Sequence, residues 1–321
     1  MRRIEFWKQR LIGFLFPPES DNWLALLRFG LGLQVILYSL SIRKDWACLL
    51  AGKGGLISRN LSETVIALES SLIPRVGWIV ALGGHFGLSE ESILSIIWYS
   101  LVTACCLLLL GLFSRAAAIA TWFLHLAAVK SADLFSYGMD NLTTIGLFYL
   151  MLSPLPDRRS LDWQRRKSRP QHRDLLGFWR RVLQTQMCLI YFFSGIAKCL
   201  GPGWWNGINL WRALTRPPFD LISADTLVRF KYLLPIAGVA VWTLEIGYPF
   251  FVWHRRLRRP WLIAVLLMHV GIGITMGMYL FASIMIVLNL AAFGPGILWH
   301  QRQVADDGTA ARKSLAPSPN N

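Results

Sequence analysis

Charge is what this chain has least of. Only 16% of its 321 residues are Asp, Glu, Lys or Arg, whereas soluble domains carry roughly a quarter. A soluble protein of this length needs a polar skin over its cores. That skin is missing, which argues against a soluble enzyme, a disordered chain and a coiled coil. Cysteine is also scarce. Cys48, Cys105, Cys106, Cys188 and Cys199 form no CxxC and no metal-ligand spacing, so they read as small core hydrophobes rather than a disulfide framework or a metal site. No internal repeat is evident, which weighs against an inverted-repeat transporter. The basic N-terminus is not followed by a small-residue cleavage site, so no cleavable signal peptide is expected.

What the chain has instead is long apolar runs: 54% of it is hydrophobic. A membrane-crossing helix needs about 20 mostly apolar residues. The candidates are Trp23 to Ser41, Ile93 to Phe113, Ala116 to Val129, Gly138 to Ser153, Val182 to Leu200 and Leu233 to Trp253. Trp261 to Trp299 holds no Lys, Arg, Asp or Glu and is too long for one crossing, so it divides near Gly277. The expected fold class is all-α, a polytopic transmembrane helix bundle of about eight spans. Its domains are a cytoplasmic basic N-terminus over residues 1–21, a transmembrane domain over 22–300 and a disordered cytoplasmic tail over 301–321. Leu56 to Gly84 is too polar to span and reads as an outer amphipathic or re-entrant helix. Trp204, Trp205 and Trp211 fit an interfacial aromatic belt.

The net charge of +15 separates two classes of partner. With the N-terminus inside, the inner segments hold 21 Lys or Arg against 8 acids, and the outer ones 10 against 9. One-sided loading is the positive-inside rule. The richest basic loop, Arg158 to Arg181, lacks aromatics suited to base stacking, so it reads as a topology determinant touching anionic lipid. The expected partner is the bilayer of the inner (plasma) membrane, crossed in multi-pass fashion with a cytoplasmic N-terminus. Nucleic acid is not expected.

Ionisable residues inside apolar runs are costly and mark functional hypotheses. Arg28 and Glu245 are expected to form an intramembrane charge pair between the first and sixth spans. Lys198 shares a helical face with Tyr191 and Ser194. It is either a reactive amine in an apolar pocket or a lysine that snorkels at a helix end. His269 is either an interhelical hydrogen bonder or a pocket residue. Asp140, beside Asn141, reads as an N-terminal cap of the fourth span, and Asp162 as a cap or a pair for its basic neighbours. No metal site is expected.

In these stretches the sequence resembles the HTTM family, the membrane part of vitamin K-dependent gamma-carboxylase and its bacterial relatives. The resemblance runs through Leu26-Leu27-Arg28-Phe29-Gly30-Leu31-Gly32, Asp140-Asn141-Leu142, Pro154-Leu155-Pro156 to Ser160-Leu161-Asp162, Tyr191 to Lys198 with Gly201-Pro202-Gly203-Trp204, Leu244-Glu245, and His269 with Gly277-Met278. It implies a helix bundle whose reactive pocket faces the outer side. It implies Lys198 as the catalytic base, with Tyr191, Trp204, His269, Asp140 and Asn141 as pocket residues and a quinone or hydroquinone as cofactor. It also implies a lipophilic small molecule or a separate protein as substrate. The carboxylase's large lumenal domain has no counterpart in these residues, and Asn141 and Leu142 stand where the carboxylase carries a histidine. Three readings remain open: quinone-dependent, carboxylase- or epoxidase-like chemistry; a non-enzymatic membrane scaffold or maturation partner; and a transporter.

Overall fold

The computed structural model describes residues 2–52, 54–165 and 173–295. The expected tail, 301–321, and part of the basic loop, 166–172, lie outside the described residues. Sixteen α-helices follow one another, with no strand among the described residues. They are α1 (Arg2–Leu15), α2 (Asn22–Ser41), α3 (Trp46–Leu50), α4 (Arg59–Glu69), α5 (Val76–His85), α6 (Glu90–Leu110), α7 (Ser114–Ser131) and α8 (Gly138–Leu152). Then come α9 (Leu161–Arg165), α10 (Arg173–Leu200), α11 (Pro202–Trp205), α12 (Ile208–Thr215), α13 (Ala224–Arg229), α14 (Leu233–Phe251), α15 (Arg258–Met276) and α16 (Tyr279–Phe293).

Local chemistry sets the boundaries. The Ser89 hydroxyl accepts from the Ser92 backbone N–H at the start of α6, and Glu90 and Glu91 oppose the dipole there. The same helix ends on Gly111 at φ +67°, a left-handed cap that glycine adopts without strain. The expected break in the last apolar run falls at Gly277, φ +69°. Asp162 is indeed a cap, but for a remote helix: its carboxylate accepts from the backbone N–H groups of Phe113 and Ser114 at the mouth of α7.

Two four-helix groups pack side by side. In the first, α2 packs on α6, α6 on α7 and α7 on α8; in the second, α10 packs on α14, α14 on α15 and α15 on α16. The groups join where α16 meets α2 and α8. Trp23, Leu27 and Leu31 of α2, Leu101 and Leu108 of α6, and Ile284 and Leu288 of α16 fill the interior.

The outside is apolar as well. On α15, Ile263, Leu267, Val270 and Ile274 form an exposed stripe at helical spacing, and on α2 Phe29, Leu33, Leu37 and Leu40 do the same. A helix apolar on all sides needs a hydrocarbon surrounding. Among the described residues, four helices, α2, α6, α14 and α15, are long and apolar enough to cross a membrane.

Several expectations are corrected. The segment Leu56 to Gly84 forms two helices, α4 and α5, parted by a turn containing Pro74. Helix α10 starts at Arg173 rather than Val182, because Leu176 and Arg180 are buried and Gly177 lies against the Pro17 carbonyl. The basic N-terminal segment forms the amphipathic α1, anchored by Arg181 Nε donating to the Phe14 carbonyl at 3.0 Å. Of the cysteines, Cys105 and Cys188 are core residues, while Cys48 and Cys106 are exposed.

Candidate functional site

Glycine brings α10 and α14 together. A Cβ at Gly195 would fall 2.7 Å from the Ile246 backbone nitrogen and 2.9 Å from Glu245 Cβ. Any side chain there would part the helices, so the bare backbone is what lets them touch. One turn further on, Lys198 Nζ donates to both carboxylate oxygens of Glu245, at 2.7 and 2.6 Å, and to Ser194 Oγ at 2.7 Å. An ammonium has three N–H donors, and all three are engaged. The amine also stands 5.4 Å from the centroid of the Trp204 ring, within cation–π range. Trp204 is seated by Gly238 of α14, where a Cβ would collide with the Trp204 carbonyl. Its neighbour Trp205 is fixed by a bond to the Cys199 carbonyl at 2.7 Å. The Lys198 side chain is 21% exposed and that of Glu245 8%.

Deeper in the same group lies a second polar cluster. Tyr248 Oη donates to Asn289 Oδ1, Asn289 Nδ2 donates to Tyr191 Oη, and Tyr191 Oη meets His269 Nε2, each at 2.7 Å. Tyr191 accepts from Asn289, and the direction of its bond to His269 Nε2 follows the ring's tautomer. Tyr191 and Tyr248 also stack, their centroids 4.2 Å apart. All four residues are buried. His269 Nδ1 is buried with no partner among the described residues.

The structure therefore re-sorts the expected residues. Lys198, Trp204 and Glu245 come together. Tyr191 and His269 come together below them, and Tyr191 bonds to His269 and Asn289 rather than to Lys198. The Lys198 amine, expected to face an apolar cavity, faces a carboxylate. Arg28 and Glu245 are not partners. Arg28 makes a two-pronged bond to Asp157, Nε to Oδ2 at 2.5 Å and Nη2 to Oδ1 at 3.3 Å. Its Nη1 donates to the Leu108 and Leu109 carbonyls, both at 2.6 Å. This closes the last turn of α6, where a cation is favoured. The arginine turned to the nearer loop carboxylate, which the expected pairing of two mid-span charges did not consider.

Asp140 and Asn141 also part company with Lys198. Asp140 Oδ2 accepts from the Tyr137 backbone N–H at 2.9 Å, the expected N-terminal cap, and Asp140 lines a cavity of about 230 Å³ in the first helix group. Asn141 is exposed on the opposite side of the turn and does not line that cavity. The first turn of α16 separates the two regions: Leu280 walls the Asp140 cavity, while Phe281 packs on His269 at 5.9 Å.

Sequence reasoning missed Asn289, Tyr248 and Asp157. A signal for Asn289 was present, since it is a lone amide inside Leu288-Asn289-Leu290 and needs partners in an apolar setting. Asp157 sat in a loop among arginines and gave no such sign. No family model, curated protein or solved structure matches the chain.

Proposed function

We propose that the chain is a multi-pass protein of the HTTM type whose α10–α14 pair takes a proton from a lipophilic hydroxyl compound. In this reading eight apolar helices cross the inner (plasma) membrane: α2, α6, α7, α8, α10, α14, α15 and α16. The charge asymmetry supports a cytoplasmic N-terminus. Helices α8 and α16 have 15 residues each, about 22 Å of rise, and short helices of this kind are accommodated by local thinning and by packing on neighbours. Lys198, at the C-terminal end of α10, then faces the outer leaflet.

The observation that carries the reading is the half-open ion pair. A Lys–Glu pair shielded from water on one side and open on the other is set to exchange its partner for a ligand. The donor set also fits a hydroquinone: an aromatic face on Trp204, a carboxylate that accepts and an ammonium that donates. Such a compound, when bound, supplies an acidic phenolic hydroxyl and reducing equivalents. Because the three donors of Lys198 are spent, Glu245 is the group with lone pairs to take the proton. Lys198 then holds the negative charge left on the ligand oxygen, and Ser194 keeps the amine aimed. The resemblance assigns the base to Lys198; the geometry favours dividing the work between Lys198 and Glu245.

The experiment is a titration of the purified protein in nanodiscs with menadiol, read by tryptophan fluorescence. The expected result is saturable quenching that Lys198→Met abolishes and Trp204→Leu reduces. Quenching that Lys198→Met leaves untouched would support the scaffold reading, in which the pair only ties α10 to α14.

A further inference from the structure

The cavity beside Asp140 belongs to a different set of helices from Lys198 and carries its own unsatisfied chemistry. It sits where α2 and α7 end and α8 and α16 begin, with Tyr38, Phe135, Tyr137, Asp140 and Leu280 among its walls. Its volume, about 230 Å³, exceeds the roughly 150 Å³ that accommodates benzene in an engineered protein core. Asp140 is 4% exposed. Its Oδ2 is used in the cap, but Oδ1 is buried without a partner among the described residues. Buried carboxylate oxygens are ordinarily hydrogen-bonded, so this one has room for a donor that the chain does not supply.

The surrounding charges do not supply it either. No Lys or Arg lines the cavity. Lys130, next to the lining residue Val129, is bonded to Glu69 at 2.8 Å and to Asp133 at 3.3 Å. Behind the Tyr38 wall, His125 of α7 is fully buried and meets the Tyr38 ring edge-on at 5.2 Å. A lone carboxylate at the end of a chamber walled by two tyrosines and a phenylalanine is complementary to one chemistry above others. A cation with an apolar body satisfies the carboxylate and lies against the ring faces.

We infer that this cavity is a binding site for a small organic ammonium compound, held by Asp140 and the rings of Tyr38, Phe135 and Tyr137. Its occupancy is independent of Lys198 and of the proton-transfer reading. Leu280 and Phe281, neighbours on the first turn of α16, give it a physical connection to His269.

The test is ligand-observed NMR on the full chain in nanodiscs, with benzylammonium, whose N–H groups can meet the free Oδ1, as the probe and its neutral carbon isostere, ethylbenzene, as the control. The expected result is saturable binding of the cation at least tenfold tighter than the isostere. Asp140→Asn should erase that preference. Because Asp140 also caps α8, Ala132→Phe provides a second arm that fills the cavity and keeps the cap; it should abolish binding with an unchanged melting temperature. Lys198→Met should leave binding intact. Equal binding of cation and isostere, or cation binding undiminished in Ala132→Phe, would overturn the assignment.

Discussion

Two of the ion pairs among the described residues, Arg28–Asp157 and Lys198–Glu245, stand in contrasting circumstances. Arg28 and Asp157 tie the first helix group to the loop after α8, and their side chains are 3% and 0% exposed. The guanidinium makes four bonds, two to carboxylate and two to backbone carbonyls. Lys198 and Glu245 tie two helices of the second group, with the lysine 21% exposed. The first pair has no free edge for a ligand. The second has an open side and the Trp204 ring 5.4 Å from its amine. A buried ion pair is by itself weak evidence for stability; what distinguishes these two is that the Lys198 side chain is 21% exposed and that of Arg28 3%.

The largest effect should come from breaking the closed pair. Arg28→Met leaves the Asp157 carboxylate buried and the last α6 carbonyls unmet, and is expected to lower stability by about 3–5 kcal/mol. A thermal melt in detergent measures this, and a variant melting with the natural chain would erase the contrast between the pairs. Next is Gly195→Val. The added carbons meet Ile246 and Glu245, an overpacking expected to cost about 2–3 kcal/mol and to separate Lys198 from its partner. It should therefore lose both melting temperature and menadiol quenching.

Smaller again is Tyr191→Phe, which strips partners from Asn289 and His269 in the buried chain of hydrogen bonds. About 1–2 kcal/mol is expected, with quenching retained if Tyr191 supports the site only from below. The smallest stability change belongs to Lys198→Arg. The charge is kept at a half-open position, so less than about 1 kcal/mol is expected. The planar fork cannot match three donors spread over Ser194 and two oxygens, so ligand binding should fall although the melt barely moves. A large drop in the melt would make this pair resemble the first.

The architecture was legible because apolar length and glycine breaks are strong local signals. Each expected span corresponds to a helix, from Trp23 to Ser41 within α2 through to the split at Gly277. The partnerships were far less legible. Arg28 and Glu245 each looked solitary along the chain, yet the residue that answers Arg28 lies 129 positions away in a loop, and nothing in the spacing singles out Asp157 from its neighbours. Lys198 and Glu245 are 47 positions apart and meet only because Gly195 lets two helices touch. The amphipathic α1 was hidden by its own basic residues, although Ile4, Trp7 and Leu11 recur at helical spacing. Asn141 was carried with Asp140 by adjacency, and one helical step turned it outward.

The central claim is that the Lys198–Glu245 pair serves a ligand rather than the fold. The most direct measurement is the double variant Lys198→Met, Glu245→Leu, which removes both charges while keeping side-chain volume, examined for melting temperature and menadiol quenching on one preparation. Replacing a buried ion pair by apolar residues of similar size is often neutral or stabilising, so a pair kept for a ligand can be removed without loss of the fold. The account predicts an unchanged or raised melting temperature together with complete loss of quenching. Quenching that survives the double replacement would contradict it.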